Sequence, residues 1–219
     1  MRKMAPRVFT RSLAVTSTAV SLALAGLVIA QAPAAADESL GVGVIGQQES
    51  RWASAQLGAS AQKSIGSAGC AVTSVAMLLA YYGVQTSPRR LNDWLTANGG
   101  YAEGDLLIWT RLSDYVPNRF RYTGWHSPEA SVINAELDAG RPVVAEVRLG
   151  RNQHFIVLAG RSRDDYTIND PWFDDSVTLR ARYGDPRSAI VSIRTFAGIP
   201  MTAAGTPIST GEDDQHQAQ

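Results

Sequence analysis

The chain of 219 residues is poor in the side chains that most often carry reactive chemistry, with one cysteine and three histidines. A single cysteine excludes an internal disulfide and any zinc site built from several thiolates. Charge is also scarce, at 18% of residues, and 20 basic side chains balance 20 acidic ones. Four of the basic residues (Arg2, Lys3, Arg7, Arg11) and none of the acidic ones fall within residues 1–36. The remainder is net acidic and has no basic cluster, which argues against nucleic acid as a partner. A hydrophobic content of 45% with 19 Gly and 10 Pro excludes collagen, coiled coil and wholesale disorder.

What is present begins at the ends. A basic start, an uncharged and mostly apolar run Ser12–Ala30, and the triplet Ala34-Ala35-Ala36 follow the order of a secretory signal peptide cleaved after Ala36. No Arg-Arg pair points to the twin-arginine route, and no cysteine stands near the cleavage point to carry a lipid. The expectation is a secreted or cell-envelope protein with no stable membrane insertion after cleavage. Residues 37–46 read as a short lead-in, 47–200 as one domain without internal repeats, and 201–219 as a disordered tail. The cluster Glu212, Asp213, Asp214 and His216 belongs to that solvated tail rather than to a metal site.

Within the body, Cys70–Tyr82 is uncharged, largely apolar and closed by Gly83, the pattern of a buried helix. Ser87-Pro88 opens a second helix to Ala97, and a third short one is expected over Asp105–Leu112. Ser127-Pro128-Glu129 caps a helix running to Ala139. The period then changes. Strands are expected over 144–149, 154–159, 166–169, 176–179 and 189–193, with a hairpin turn at 150–153. Helices in the first half and antiparallel strands in the second define an α+β domain, with the Cys70 helix packed on the sheet.

Cys70 follows Gly66-Ser67-Ala68-Gly69 at the first turn of that helix. A helix N-terminus favours a thiolate over a thiol, and Gly69 lets substrate or backbone come close to the sulfur. An unpaired thiol at such a junction in a secreted chain is a candidate nucleophile rather than a small core residue. Its base must be a histidine. His216 lies in the tail and His126 in a surface-type segment, which leaves His154 at the head of the apolar strand HFIVLAG. A hairpin turning near residues 161–165 sets Ile168-Asn169-Asp170 against the start of that strand, so Asp170 orients the imidazole, with Asn169 as rival. Oxyanion donors are the Cys70 N–H and one of Gln47, Gln48, Gln56 or Gln62.

The strings Gln47-Gln48-Glu49-Ser50-Arg51-Trp52, Ile65-Gly66-Ser67-Ala68-Gly69-Cys70, Leu137-Asp138-Ala139-Gly140-Arg141-Pro142, His154-Phe155-Ile156-Val157-Leu158 and Asn169-Asp170-Pro171-Trp172 come in a telling order. Over about residues 47–195 the chain resembles the double-glycine-leader-peptidase-like proteins, family thirty-nine of the papain-like cysteine peptidases. The resemblance implies a papain-like fold with Cys70 as nucleophile, His154 as general base and acid, and Asp170 as the residue orienting it. It also implies Gln47, five residues before Trp52, in the oxyanion hole, with Gln48 adjacent. One departure is Gln153, where the family often has Gly. No transporter segment follows Ala36, so the chemistry carries over but not the export-linked substrate.

The implied activity is a secreted peptidase that uses no metal or organic cofactor and takes a peptide or protein as partner. An amidase or transpeptidase acting on cell-wall peptides would use the same residues, and a non-catalytic binding module would not need them. The mature chain is expected to begin at Asp37, so N-terminal sequencing of the exported protein should read Asp-Glu-Ser-Leu. An intact Met1 on membrane-bound protein would overturn that reading.

Overall fold

Apolar residues alternate with one another across two faces in the second half of the chain, and this double-sided pattern builds the sheet. The computed structural model describes residues 38–198; the expected signal segment and the tail 201–219 lie outside them. The elements run β1 (Glu38–Ser39), α1 (Ile65–Ala68), α2 (Cys70–Tyr81), α3 (Pro88–Ala97), β2 (Tyr101–Ala102) and β3 (Leu106–Leu107). A 3-10 helix (Trp109–Asp114) leads to β4 (Phe120–His126), α4 (Ala130–Asp138), β5 (Val143–Leu149), β6 (Asn152–Ser162) and β7 (Asp165–Asp170). The chain then adds β8 (Asp175–Thr178), α5 (Leu179–Tyr183), α6 (Pro186–Ala189) and β9 (Ser192–Gly198).

The main sheet is antiparallel in the order β4-β9-β5-β6-β7-β8, and β1 adds to the far end of β6. Two apolar clusters cover its faces. Phe155, Val157, Ala159 and Phe196 point to α2 and α3, while Val147, Ile156, Leu158 and Ile168 point to α4 and α5. Strands buried on both faces read as continuous apolar runs, as HFIVLAG does. α2 is enclosed all round, with Val72 through Leu79 buried without a break, the signature of a central helix. Among the described residues no helix is long and apolar enough to cross a membrane.

Several expectations need correction. The segment Asp105–Leu112 is not a helix. A turn with positive φ at Glu103 and Gly104 folds Tyr101–Leu107 into the β2–β3 hairpin, and only then does the chain enter the 3-10 helix. Ser127 does not cap α4; Glu129 does, without a side-chain bond, because Glu129 N–H already donates to the Ser127 carbonyl at 2.8 Å. The strand expected at 176–179 stops at Thr178, whose hydroxyl caps α5 by accepting from Ala181 N–H. The strand expected at 189–193 starts later, at Ser192, because Asp185-Pro186 nucleates the turn α6 first. β4 was not expected at all: Gly124 and a register shift between Tyr122 and Gly124 interrupt its alternation. The lead-in is also part of the sheet, since Leu40 N–H donates to the Ala159 carbonyl at 2.8 Å and Val42 is buried.

Phe196 on β9 is fully buried and stacks on Phe120 with ring centroids 5.0 Å apart. Phe196→Ala should cost about 3–5 kcal/mol of stability by the usual large-to-small cavity effect. Urea unfolding would read this as a lower midpoint at unchanged slope; a loss below about 1 kcal/mol would mean the site collapses onto the gap.

Candidate active site

Ser64 and Ser67 form a reciprocal capping box that starts α1. That short helix ends at Gly69, which serves at once as its C-cap and as the N-cap of α2. A Cβ on Gly69 would lie 2.5 Å from the Ile65 carbonyl oxygen. Of the two reasons sequence gave for a glycine here, backbone approach is the one the geometry shows. No side chain caps α2, so the N–H groups of its first turn and the positive end of its dipole bear on Cys70. The thiol is half-buried and faces a cleft.

His154 comes to the same place from β6. Its Nε2 lies 2.8 Å from Asp170 Oδ1, and both His154 and Cys70 line the cleft, near enough for Cys70 to raise the imidazole pKa. With Nε2 engaged by the carboxylate, Nδ1 is the nitrogen left for the thiol. Register pairs Asn169 with Val157, so Asp170 reaches His154 diagonally, past Ile156, rather than directly across. A bulge at Ala159, between the Leu158 and Gly160 pairs, sets that offset. Asn169 is not the orienting residue in this geometry, because its amide points the other way and donates to the Val42 carbonyl at 2.8 Å.

Asp170 is completely buried, and burial by itself would raise its pKa. Hydrogen bonds from His154 and Tyr183, the charge of His154 and the Trp172 N–H outweigh burial and hold the carboxyl below its ordinary value. Tyr183 donates to Oδ2 at 2.5 Å and Trp172 N–H to Oδ1 at 3.0 Å. For His154, burial lowers the pKa, but hydrogen bonds to Asp170 and Cys70 overcome it and push the imidazole up to about 9. Tyr183 is the residue that sequence reasoning missed. It comes from α5, a five-residue helix too short to show periodicity, and no motif marks it.

The four candidate glutamines separate cleanly. Gln47 is buried and lines the cleft, and its Nε2 donates to the Gly66 carbonyl at 3.0 Å with a longer 3.4 Å contact to Ile65. Its Oε1 is buried without a partner, and its backbone N–H donates to the Pro171 carbonyl at 2.7 Å. Gln48 is exposed and donates instead to the Trp172 carbonyl at 3.1 Å. Gln56 and Gln62 are exposed and outside the cleft. His126 closes β4 and meets Thr195 Oγ1 at 3.0 Å, away from Cys70. Gln153 is exposed, lines the cleft and helps lower the pKa of Glu146. The cleft holds about 1010 Å³ and runs between the α1–α2 side and the sheet. Among the described residues no group of three or more His, Cys, Asp or Glu is placed to hold a metal.

A helix-borne cysteine facing a histidine and carboxylate from an antiparallel sheet is a papain-like arrangement on an α+β body. The chain belongs to the Peptidase_C39 like family, whose profile matches residues 46–190. No match was found among curated proteins. A solved structure titled "putative C39-like peptidase", from Bacillus anthracis, is similar at 18% identity and a TM-score of 0.47, covering 75% of this chain and 100% of that one. The family makes this a cysteine peptidase-like protein.

The raised pKa of His154 has a consequence for stability. Its charged form is favoured by folding, so the contribution is complete below the ordinary value of 6.5 and is lost as pH rises through about 9. The stability advantage of wild type over His154→Gln, followed by urea unfolding, should therefore shrink between about pH 6 and about pH 10. A gap that stays flat or widens over that window would count against a charged imidazole.

Proposed function

We propose that the protein is an exported thiol peptidase in which Cys70 is the nucleophile, His154 the general base and acid, and Asp170 the residue that orients His154. The observation that carries this reading is the position of one imidazole, hydrogen-bonded to a buried carboxylate and sharing the cleft with the Cys70 thiol, whose interaction helps raise its pKa. Export is supported by the order of residues 1–36 in the sequence.

The chemistry follows from those positions. The Cys70 thiolate attacks the scissile carbonyl carbon, and the C=O electron pair becomes an oxyanion. The Cys70 N–H at the start of α2 is one donor to it. The second is the Gln47 amide N–H that makes only the long contact with Ile65 at rest. As the tetrahedral adduct collapses, the C–N bond breaks and His154 gives its proton to the leaving amine. Water then adds to the thioester, losing a proton to His154, and the thiolate leaves as the acid is released. Asp170 stays ionised throughout and supports the imidazolium. Its hydrogen bond from Tyr183 keeps the carboxylate from turning away.

Incubating the protein with a peptide library should give hydrolysis products that vanish with Cys70→Ala. His154→Ala should be nearly as severe, and Asp170→Asn milder, because the imidazole keeps a partner but loses the charge. Gln47→Ala should slow turnover roughly a hundredfold and Gln48→Ala barely at all. Combined triad changes should cost little more than Cys70→Ala alone, since the residues act as a unit. Retained activity in Cys70→Ala, or a His126→Ala variant more damaged than His154→Ala, would sink the assignment; a new amide bond among the products would replace hydrolysis by acyl transfer.

A further inference from the structure

Beyond the triad, the cleft has a second end with an unusual floor. Arg194 on β9 lies opposite Trp125 on β4 in the sheet register and is only 1% exposed. Its guanidinium donates to Ser192 Oγ at 2.6 Å and to Glu146 Oε2 at 3.2 Å, while its Nε has no partner. A buried ion pair is weak support for stability, because desolvation offsets most of the attraction. Its placement therefore points to another role. The guanidinium carbon sits 3.9 Å from the Trp125 ring centroid, with Trp109 and Phe155 at 5.1 and 5.2 Å. Such a cation at close range fixes the plane of an otherwise free indole.

Trp125 is 63% exposed despite that anchor, and it opens on the cleft. Of the five large apolar side chains that stand well exposed among the described residues, three (Leu106, Trp125 and Trp172) line the same cleft. Exposed apolar surface concentrated in one concavity marks a binding site rather than random surface. The charges there are already matched: Lys63 meets Asp105 at 3.0 Å, Arg194 meets Glu146, and His154 meets Asp170. An incoming charged side chain would find no free counter-charge.

Building on the peptidase reading, we propose that the end of the cleft between Leu106 and Trp125 is a specificity subsite for a bulky apolar side chain, aromatic or branched aliphatic, of a peptide substrate. Trp125, held flat by Arg194, is its stacking wall, and Leu106 with Trp109 supplies the apolar surface from the helical side.

The test uses binding, so that it stands apart from turnover. Cys70→Ala protein, immobilised and exposed to a random peptide mixture, should retain peptides enriched in Phe, Tyr, Trp, Leu or Ile. Adding Trp125→Ala, checked for folding by circular dichroism because its ring covers Arg194, should weaken retention of those peptides about tenfold, as expected for loss of one aromatic contact. Retention of Ala-bearing peptides should not change. Arg194→Lys, checked for folding by circular dichroism, should give a smaller loss, because the charge remains and the planar face does not. Enrichment in acidic, basic or glycine residues, retention unaffected by Trp125→Ala, or no retained peptide would overturn the subsite. If retained apolar peptides are not cleaved by the wild type, the peptidase reading fails and the subsite stands.

Discussion

One buried hydrogen bond ties the central helix to the sheet beside the candidate site: Ser74 Oγ, on α2, donates to the Phe155 carbonyl on β6 at 3.2 Å. Ser74 lies one helical turn after Cys70, on the same side of α2, and Phe155 is the residue directly after His154. The bond therefore fixes how far the helix is slid along the sheet, and with it the meeting of thiol and imidazole. The helix is buried from Val72 to Leu79, so this bond forms away from water and adds a directional tie to the packing. A polar bond in that setting is strong because no water competes for it.

Two carboxylates stand buried in this sheet, and they are treated differently. Asp170 accepts from an imidazole, a phenol and a backbone N–H, each aimed at a defined lone pair. Glu146 instead meets a hydroxyl and a guanidinium, with Arg148 at 3.7 Å. The first arrangement leaves one histidine nitrogen free to face the cleft. The second is closed on itself, so its effect on the cleft passes through the ring stacked above it. One sheet thus carries a charge pair at the cleft beside Cys70 and another held beneath an indole ring.

The strongest elements were legible from sequence because they carry their own start and stop signals. α2 ends at Gly83 with positive φ, and α3 begins with Ser87 and Pro88 as cap and first residue. The β5–β6 and β6–β7 hairpins were readable from the apolar runs and the turn residues between them. β4 was not, because Gly124 and a bulge disrupt its period, and α5 and α6 are too short to have one. At the candidate site, Cys70, His154 and Asp170 stood out because each is an odd residue at a recognisable junction. Tyr183 and Arg194 did not. Each matters only through a partner far away in the chain, and no local pattern encodes that.

The first described residues also link distant parts of the molecule. Leu40 is bonded to the β6 carbonyl of Ala159, Val42 to Asn169 on β7, and Gln47 to Pro171, the residue after Asp170. The arm thus runs as a seam along the β6–β7 hairpin and closes beside the buried carboxylate. Ragged trimming of the N-terminus would loosen the stitches one after another toward Gln47, so the length of this arm sets how firmly the mouth of the cleft is held in shape.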